Sequence, residues 1–129
     1  MATDEVGAKP RPEPGTVAVE IHAPHVATII LRGECDISTA PRLSDAFERR
    51  NHSTHAIVDL SECDFIDSTI VGVLAAALQD AQAHGRQFSL VLPATASPVV
   101  QRIVDVMRLR DIIPIYESSE AARPAPPEV

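Results

Sequence analysis

The hydrophobic pattern of the chain switches repeatedly between a two-residue and a helical period. From Thr16 to Ala23, Val17, Val19 and Ile21 fall on one side and Glu20 and His22 on the other, which predicts a half-buried strand. Val26 to Arg32 is a second run rich in β-branched residues. The short Pro24-His25 connection predicts that the two strands pair as a hairpin. Leu43, Ala46, Phe47 and Arg50 then recur at helical spacing. Ser38 or Thr39 can cap that helix, with Pro41 in its first turn, where a missing N–H does no harm. Ala56 to Leu60 is almost continuously apolar and predicts a strand buried on both faces.

Glu62-Cys63-Asp64 reads as a short loop. From Ser68, the residues Val71, Leu74, Ala75, Leu78 and Ala81 form a helical stripe, widened by Ile70, Val73 and Ala77 and ended by Gly85. Gln87 to Leu92 is a fourth strand, stopped by Pro93. Ser97-Pro98 predicts the cap and first turn of a third helix, marked by Val99, Val100, Ile103, Val104 and Met107. Ile112 to Tyr116 is a last strand, and Ser118 to Ala122 suits one helical turn.

The order β-β-α-β-α-β-α-β predicts an α/β fold. A hairpin opens it, and strands and helices then alternate, giving a mixed, mostly parallel sheet packed with three main helices. The pattern leaves open whether those helices share one face. Residues 1–14, with Pro10, Pro12 and Pro14 among charges, read as a disordered leader; 15–122 is the domain; 123–129, with three more prolines, is a loose tail.

Composition narrows the function. In 129 residues, 45% are hydrophobic, enough for a single core. The net charge of −7 argues against nucleic acid and anionic membranes as main partners. No apolar run reaches bilayer length and the N-terminus lacks a signal-like apolar stretch, so the expected location is cytoplasmic. Cys35 and Cys63 fit neither a disulfide framework nor a zinc spacing, and read as two reduced, partly buried thiols.

Catalytic chemistry finds little support. The five histidines have no ligand spacing, the five glycines are scattered singly, and no nucleophile elbow surrounds Ser68. Asp36, Asp59, Asp64 and Asp67 invite comparison with a phospho-aspartate or metal pocket, but the only lysine is Lys9, in the leader. Asp59 reads better as a strand-end residue bonding nearby N–H groups. No enzyme, metal or cofactor is expected. Asp67-Ser68-Thr69 at a helix start is different: unpaired N–H groups and the macrodipole favour a phosphate there. Asp67 reads as a cap and orienter rather than a base.

Three stretches taken together resemble the STAS domain, the fold of bacterial anti-sigma factor antagonists (anti-anti-sigma factors). They are Leu31-Arg32-Gly33-Glu34-Cys35-Asp36; Val58-Asp59-Leu60-Ser61 with Phe65-Ile66-Asp67-Ser68-Thr69; and Ser97-Pro98-Val99-Val100 through Leu109 to the last strand. The resemblance spans roughly Thr16 to Ala122. It implies a partner switch that regulates sigma-factor-dependent transcription, as in stress responses. The unphosphorylated antagonist binds an anti-sigma factor that is also a serine kinase; phosphorylation separates the two, and a phosphatase resets the system. By motif position the phosphoacceptor is Ser68, with Thr69 a secondary candidate. The implied contact surface comprises Glu34, Asp36, Asp64, Asp67, Ser68, Thr69 and Ile70. The family usually has glycine where this chain has Ile70, and the β-branched side chain there is expected to reshape that surface. The alternative is a STAS subunit without a switch, held in a larger lipid-transport or stress-signalling assembly.

Overall fold

A computed structural model describes residues 13–22, 25–49 and 53–124. The predicted hairpin is β1 (Thr16–His22) and β2 (Val26–Cys35), antiparallel from Thr16 opposite Arg32 to His22 opposite Val26. Of its turn, His25 takes a positive φ of 66°, and Pro24 lies outside the described residues. The strands β3 (His55–Ile66), β4 (Gln87–Val91) and β5 (Ile115–Tyr116) then add in parallel, so the five strands lie side by side in chain order. The helices are α1 (Ala40–Arg49), α2 (Ser68–Ala83), α3 (Pro98–Val106) and the short α4 (Ser119–Ala122).

Strand alternation settles which face each helix takes. Ile29 and Leu31 of β2, Val58 and Leu60 of β3 and Leu90 of β4 share one face, because their neighbours in sequence point the other way. They join Leu43, Leu74, Val100 and Val104 in one core, so α1, α2 and α3 pack on the same side. On the opposite side Val26, Ile57 and Val91 form a small cluster with Ala122 of α4. That second face also buries polar groups: His55 Nε2 lies 3.0 Å from Ser89 Oγ, and burial lowers the His55 pKa.

Several boundaries differ from the sequence reading. The expected loop Glu62–Asp64 belongs to β3, which runs on to Ile66 beside an equally extended β2. Glu62 and Asp64 are exposed while Cys63 and Ile66 are buried, so the acids are the outward positions of a strand. The pairing shifts register between Ile30 and Arg32 and again between Gly33 and Glu34, as bulges do. The last strand is only Ile115–Tyr116, because Leu109–Asp111 winds into a 3-10 turn first. Val99 and Met107, expected in the core of α3, are about half exposed.

The leader boundary also moves. Glu13 and Pro14 are not free of the domain: Glu34 N donates to Glu13 O at 2.9 Å, and Pro14 bridges Glu34. Gly33 permits this approach. Its φ is +76°, and a Cβ there would lie 2.8 Å from the carbonyl oxygens of Glu13 and Pro14. The remainder of the expected leader and most of the tail, residues 1–12 and 125–129, lie outside the described residues.

Candidate functional site

The parallel arrangement brings the C-terminal ends of β2, β3 and β4 to one edge, where open α/β sheets commonly bind. Gly33-Glu34-Cys35-Asp36 and Cys63–Asp67 meet there side by side, with Glu34 opposite Phe65 and Cys35 opposite Ile66. Asp36 turns the chain into α1. Its Oδ1 accepts from Ser38 Oγ at 2.6 Å and Ser38 N at 2.9 Å, and these bonds hold the carboxyl below its usual pKa. The Thr39 hydroxyl, expected as a helix cap, instead accepts from Asp36 N.

Asp67 is the N-cap of α2. Its backbone is extended and its Oδ1 accepts from Ile70 N at 3.0 Å, bearing out the reading of a cap. Ser68 follows as the first helical residue. It is exposed, and among the described residues its hydroxyl makes no hydrogen bond. The N–H groups of Ser68 and Thr69 belong to the first turn, where helical partners are lacking.

The two hydroxyls of the motif part company. Ser68 faces a groove of about 410 Å³ between α2 and α3, walled by Phe65, Val71, Ile103, Val106 and Met107. Arg102 is the basic residue in that lining. Thr69 faces the other way, into a cleft of about 500 Å³ between α1 and α2 that also touches Gly72 and Asp80. A helix turns about 100° per residue, so adjacent side chains cannot share a wall.

Ile70 contradicts its expected place on the contact surface. It is wholly buried and belongs to the main core with Val71, Leu74 and Leu78. The position that the family usually fills with glycine points inward here, so its side chain adds packing and no outward bulk. Gly72 is the outward position: it is exposed, and an added Cβ would meet nothing within 4 Å.

Asp64 is exposed beside the motif, and its carbonyl accepts from Ser97 Oγ at 3.0 Å. The same hydroxyl caps α3 through Val100 N, so Ser97 ties the end of β3 to the start of α3. Glu34 is half-buried at the same edge. Thus Glu34, Asp36, Asp64, Asp67 and Ser68 gather at one edge, Thr69 lies at its α1 side, and Ile70 lies beneath. Asp59 stands apart as a structural residue: its Oδ1 accepts from Ser61 N and its Oδ2 from Ser119 Oγ, anchoring α4.

The groove, Arg102 and the Ser97–Asp64 bond were not foreseen from the sequence. The signal for the groove was present: α3 carries more apolar residues than one buried stripe needs, and Val106 is 66% exposed. Among the described residues no cluster of three or more potential metal ligands forms.

Comparison with known proteins gives a consistent picture. Residues 19–114 match a family model described as Mlab, STAS domain. Among solved structures, the chain is similar to an anti-sigma factor antagonist from Mycobacterium paratuberculosis. Identity is 26% and the TM-score 0.73, over 84% of this chain and 90% of that one. It also resembles the fold of the anti-sigma factor antagonist SpoIIAA in its unphosphorylated form, at 20% identity and TM-score 0.70, covering 82% and 92% of the two chains. The phosphorylated form of the Bacillus protein SpoIIAA aligns at 19% identity and TM-score 0.65, covering 82% and 96%. A search of curated proteins returns no match.

Proposed function

The chain belongs to the STAS-domain family, and from that premise we propose that it is an anti-sigma factor antagonist switched by phosphorylation of Ser68. The reading is carried by one observation: Ser68 is an exposed, unbonded hydroxyl at the first position of α2, on the rim of an apolar groove. A partner seated there surrounds Ser68 with desolvated surface. The partner is an anti-sigma factor with serine kinase activity, and a phosphatase restores the unmodified state.

The chemistry of the switch follows from charge. A phosphate adds about −1.5 to −2 charge. On the free protein, water and the N-terminal N–H groups of α2 tolerate it. In a docked interface it sits between the carboxylates of Asp67 and Asp64, and like charges in desolvated contact are strongly unfavourable. No refolding is needed, because α2 already has its cap in Asp67. The protein itself acts by binding, without a catalytic residue, and the expected setting is cytoplasmic control of sigma-dependent transcription.

Ser68 is preferred to Thr69 because the acceptor and the apolar groove lie on the same side of α2. Ile70 does not count against the switch, since its side chain is buried away from any kinase. A second reading, a STAS subunit that stays in a larger assembly whatever the state of Ser68, is favoured by the description of the matched family model as Mlab. Affinity capture from the native host separates the two. Ser68→Ala is expected to retain the partner and Ser68→Asp to lose it. Equal capture by both variants would sink the switch and leave the second reading.

A further inference from the structure

The proposed function uses neither cysteine, yet the fold brings both together at the base of the site. Cys35 closes β2 and Cys63 lies on the adjacent strand β3, opposite Gly33. Both are free, buried and part of the main core. In a regular parallel pair Cys35 would be displaced along the strand from Cys63. Here the register shift between Gly33 and Glu34 adds a residue to β3 against β2 and kinks the pair at this point.

The local polar contacts leave the two thiols facing one another. Cys35 Sγ lies 3.6 Å from Arg32 O, and Cys63 Sγ lies 3.3 Å from Phe65 O, each against its own strand. A hydrogen bond between the two thiols lowers the Cys35 pKa and raises that of Cys63. Reactivity is thereby divided: one sulfur is disposed to ionise and attack, and the other stays protonated until it resolves the product.

We propose that Cys35 and Cys63 are a peroxide-oxidised thiol pair that closes to a reversible intrachain disulfide. The Cys35 thiolate attacks one oxygen of the peroxide, forming an S–O bond and breaking the O–O bond; hydroxide leaves. The Cys63 sulfur then attacks the sulfenic Cys35, forming the S–S bond and breaking S–O. The departing hydroxide and the Cys63 proton make water. Two thiols are oxidised and one peroxide is reduced to two waters. Burial of both sulfurs selects a small oxidant over a bulky disulfide such as oxidised glutathione.

The consequence is local to the site edge. Each cysteine is followed directly by an acid of that edge, Asp36 after Cys35 and Asp64 after Cys63. The crosslink ties together the two backbone segments that present them, at the place where strand pairing is already irregular. This inference concerns a second input to the molecule and stands whether or not Ser68 is phosphorylated.

The test uses the full-length wild-type chain, reduced and then exposed to hydrogen peroxide. The expected result is loss of both thiols, a mass decrease of about 2 Da for the two hydrogens removed, and a non-reducing peptide map joining Cys35 to Cys63. The protein stays monomer-sized on a denaturing gel, and dithiothreitol restores both thiols. Persistence of two titratable thiols after denaturation would overturn the proposal. So would their loss through links between chains or through sulfinic and sulfonic products. Oxidised glutathione is expected to leave both thiols free under native conditions; formation of a mixed disulfide would contradict the selection by burial.

Discussion

The inner and outer faces of α2 are built from the same sixteen residues and do different things. The inner face, with Ile70, Val71, Leu74, Leu78 and Ala81, is buried against the sheet and supports the fold. The outer face begins with Ser68 and Gly72, both exposed, one over the groove toward α3 and the other beside the cleft toward α1. Two adjacent positions can thus be under unrelated physical constraints. Bulk at position 70 is paid in core packing, while bulk or charge at 68 and 72 alters only what can dock.

Substitutions that cross this divide give graded outcomes. The largest is Ile70→Ala, which empties a fully buried site and is expected to cost about 2–5 kcal/mol of stability in denaturant unfolding. Ile70→Gly adds roughly 1 kcal/mol of helix penalty, although glycine is the usual family residue. A change within about 0.5 kcal/mol would mean that Ile70 is a surface residue after all.

Ser68→Asp reverses the profile. Partner binding is expected to weaken by tenfold or more, a loss of at least about 1.4 kcal/mol, with unfolding stability unchanged to within about 0.5 kcal/mol. Titration calorimetry beside thermal melts resolves both quantities. A matching drop in stability would place Ser68 with the fold rather than with the interface.

Asp67→Ala removes the cap bond to Ile70 N and is expected to cost about 1 kcal/mol of stability. Asp67→Asn, which keeps an acceptor, is expected to recover most of that loss. Failure of the asparagine variant to recover would mean that the charge of Asp67, rather than its cap, supports the helix.

The smallest effect is expected at Gly72→Ala. The new methyl meets open space, and the helix gains up to about 1 kcal/mol. If a partner packs closely on this turn, binding weakens while the melting temperature rises. Opposite signs from one methyl would be the sharpest separation of the two faces, and unchanged binding would move the docked surface toward α3 alone.

The legibility of the molecule in its sequence follows the same divide. Inner positions announce themselves by period, so α2 and the strands around Ile29 and Val58 were readable. The hairpin and the parallel crossovers followed from element order. Outer positions have no period to betray them. Glu62 and Asp64 looked like loop because two acids flank one cysteine, although their alternation with buried Cys63 was a strand signal at the length of a few residues. Ile70 was read through a family pattern instead of through its place on the apolar stripe, and the stripe was right. The groove needed two helices at once: neither Val71 nor Val106 implies it until α3 is laid beside α2. The bond from Ser97 to Asp64 spans 33 residues and has no local signature.

The central claim is that phosphate on Ser68 and a partner on the outer face of α2 exclude one another. The most direct measurement is phosphosite mapping by mass spectrometry on the native protein, separated into partner-bound and free fractions, with complete coverage of Asp59 to Arg86. The account predicts unmodified Ser68 in the bound fraction and phosphorylated Ser68 enriched in the free one. Equal phosphate in both fractions, or an unmodified Ser68 in both across growth and stress, would contradict it.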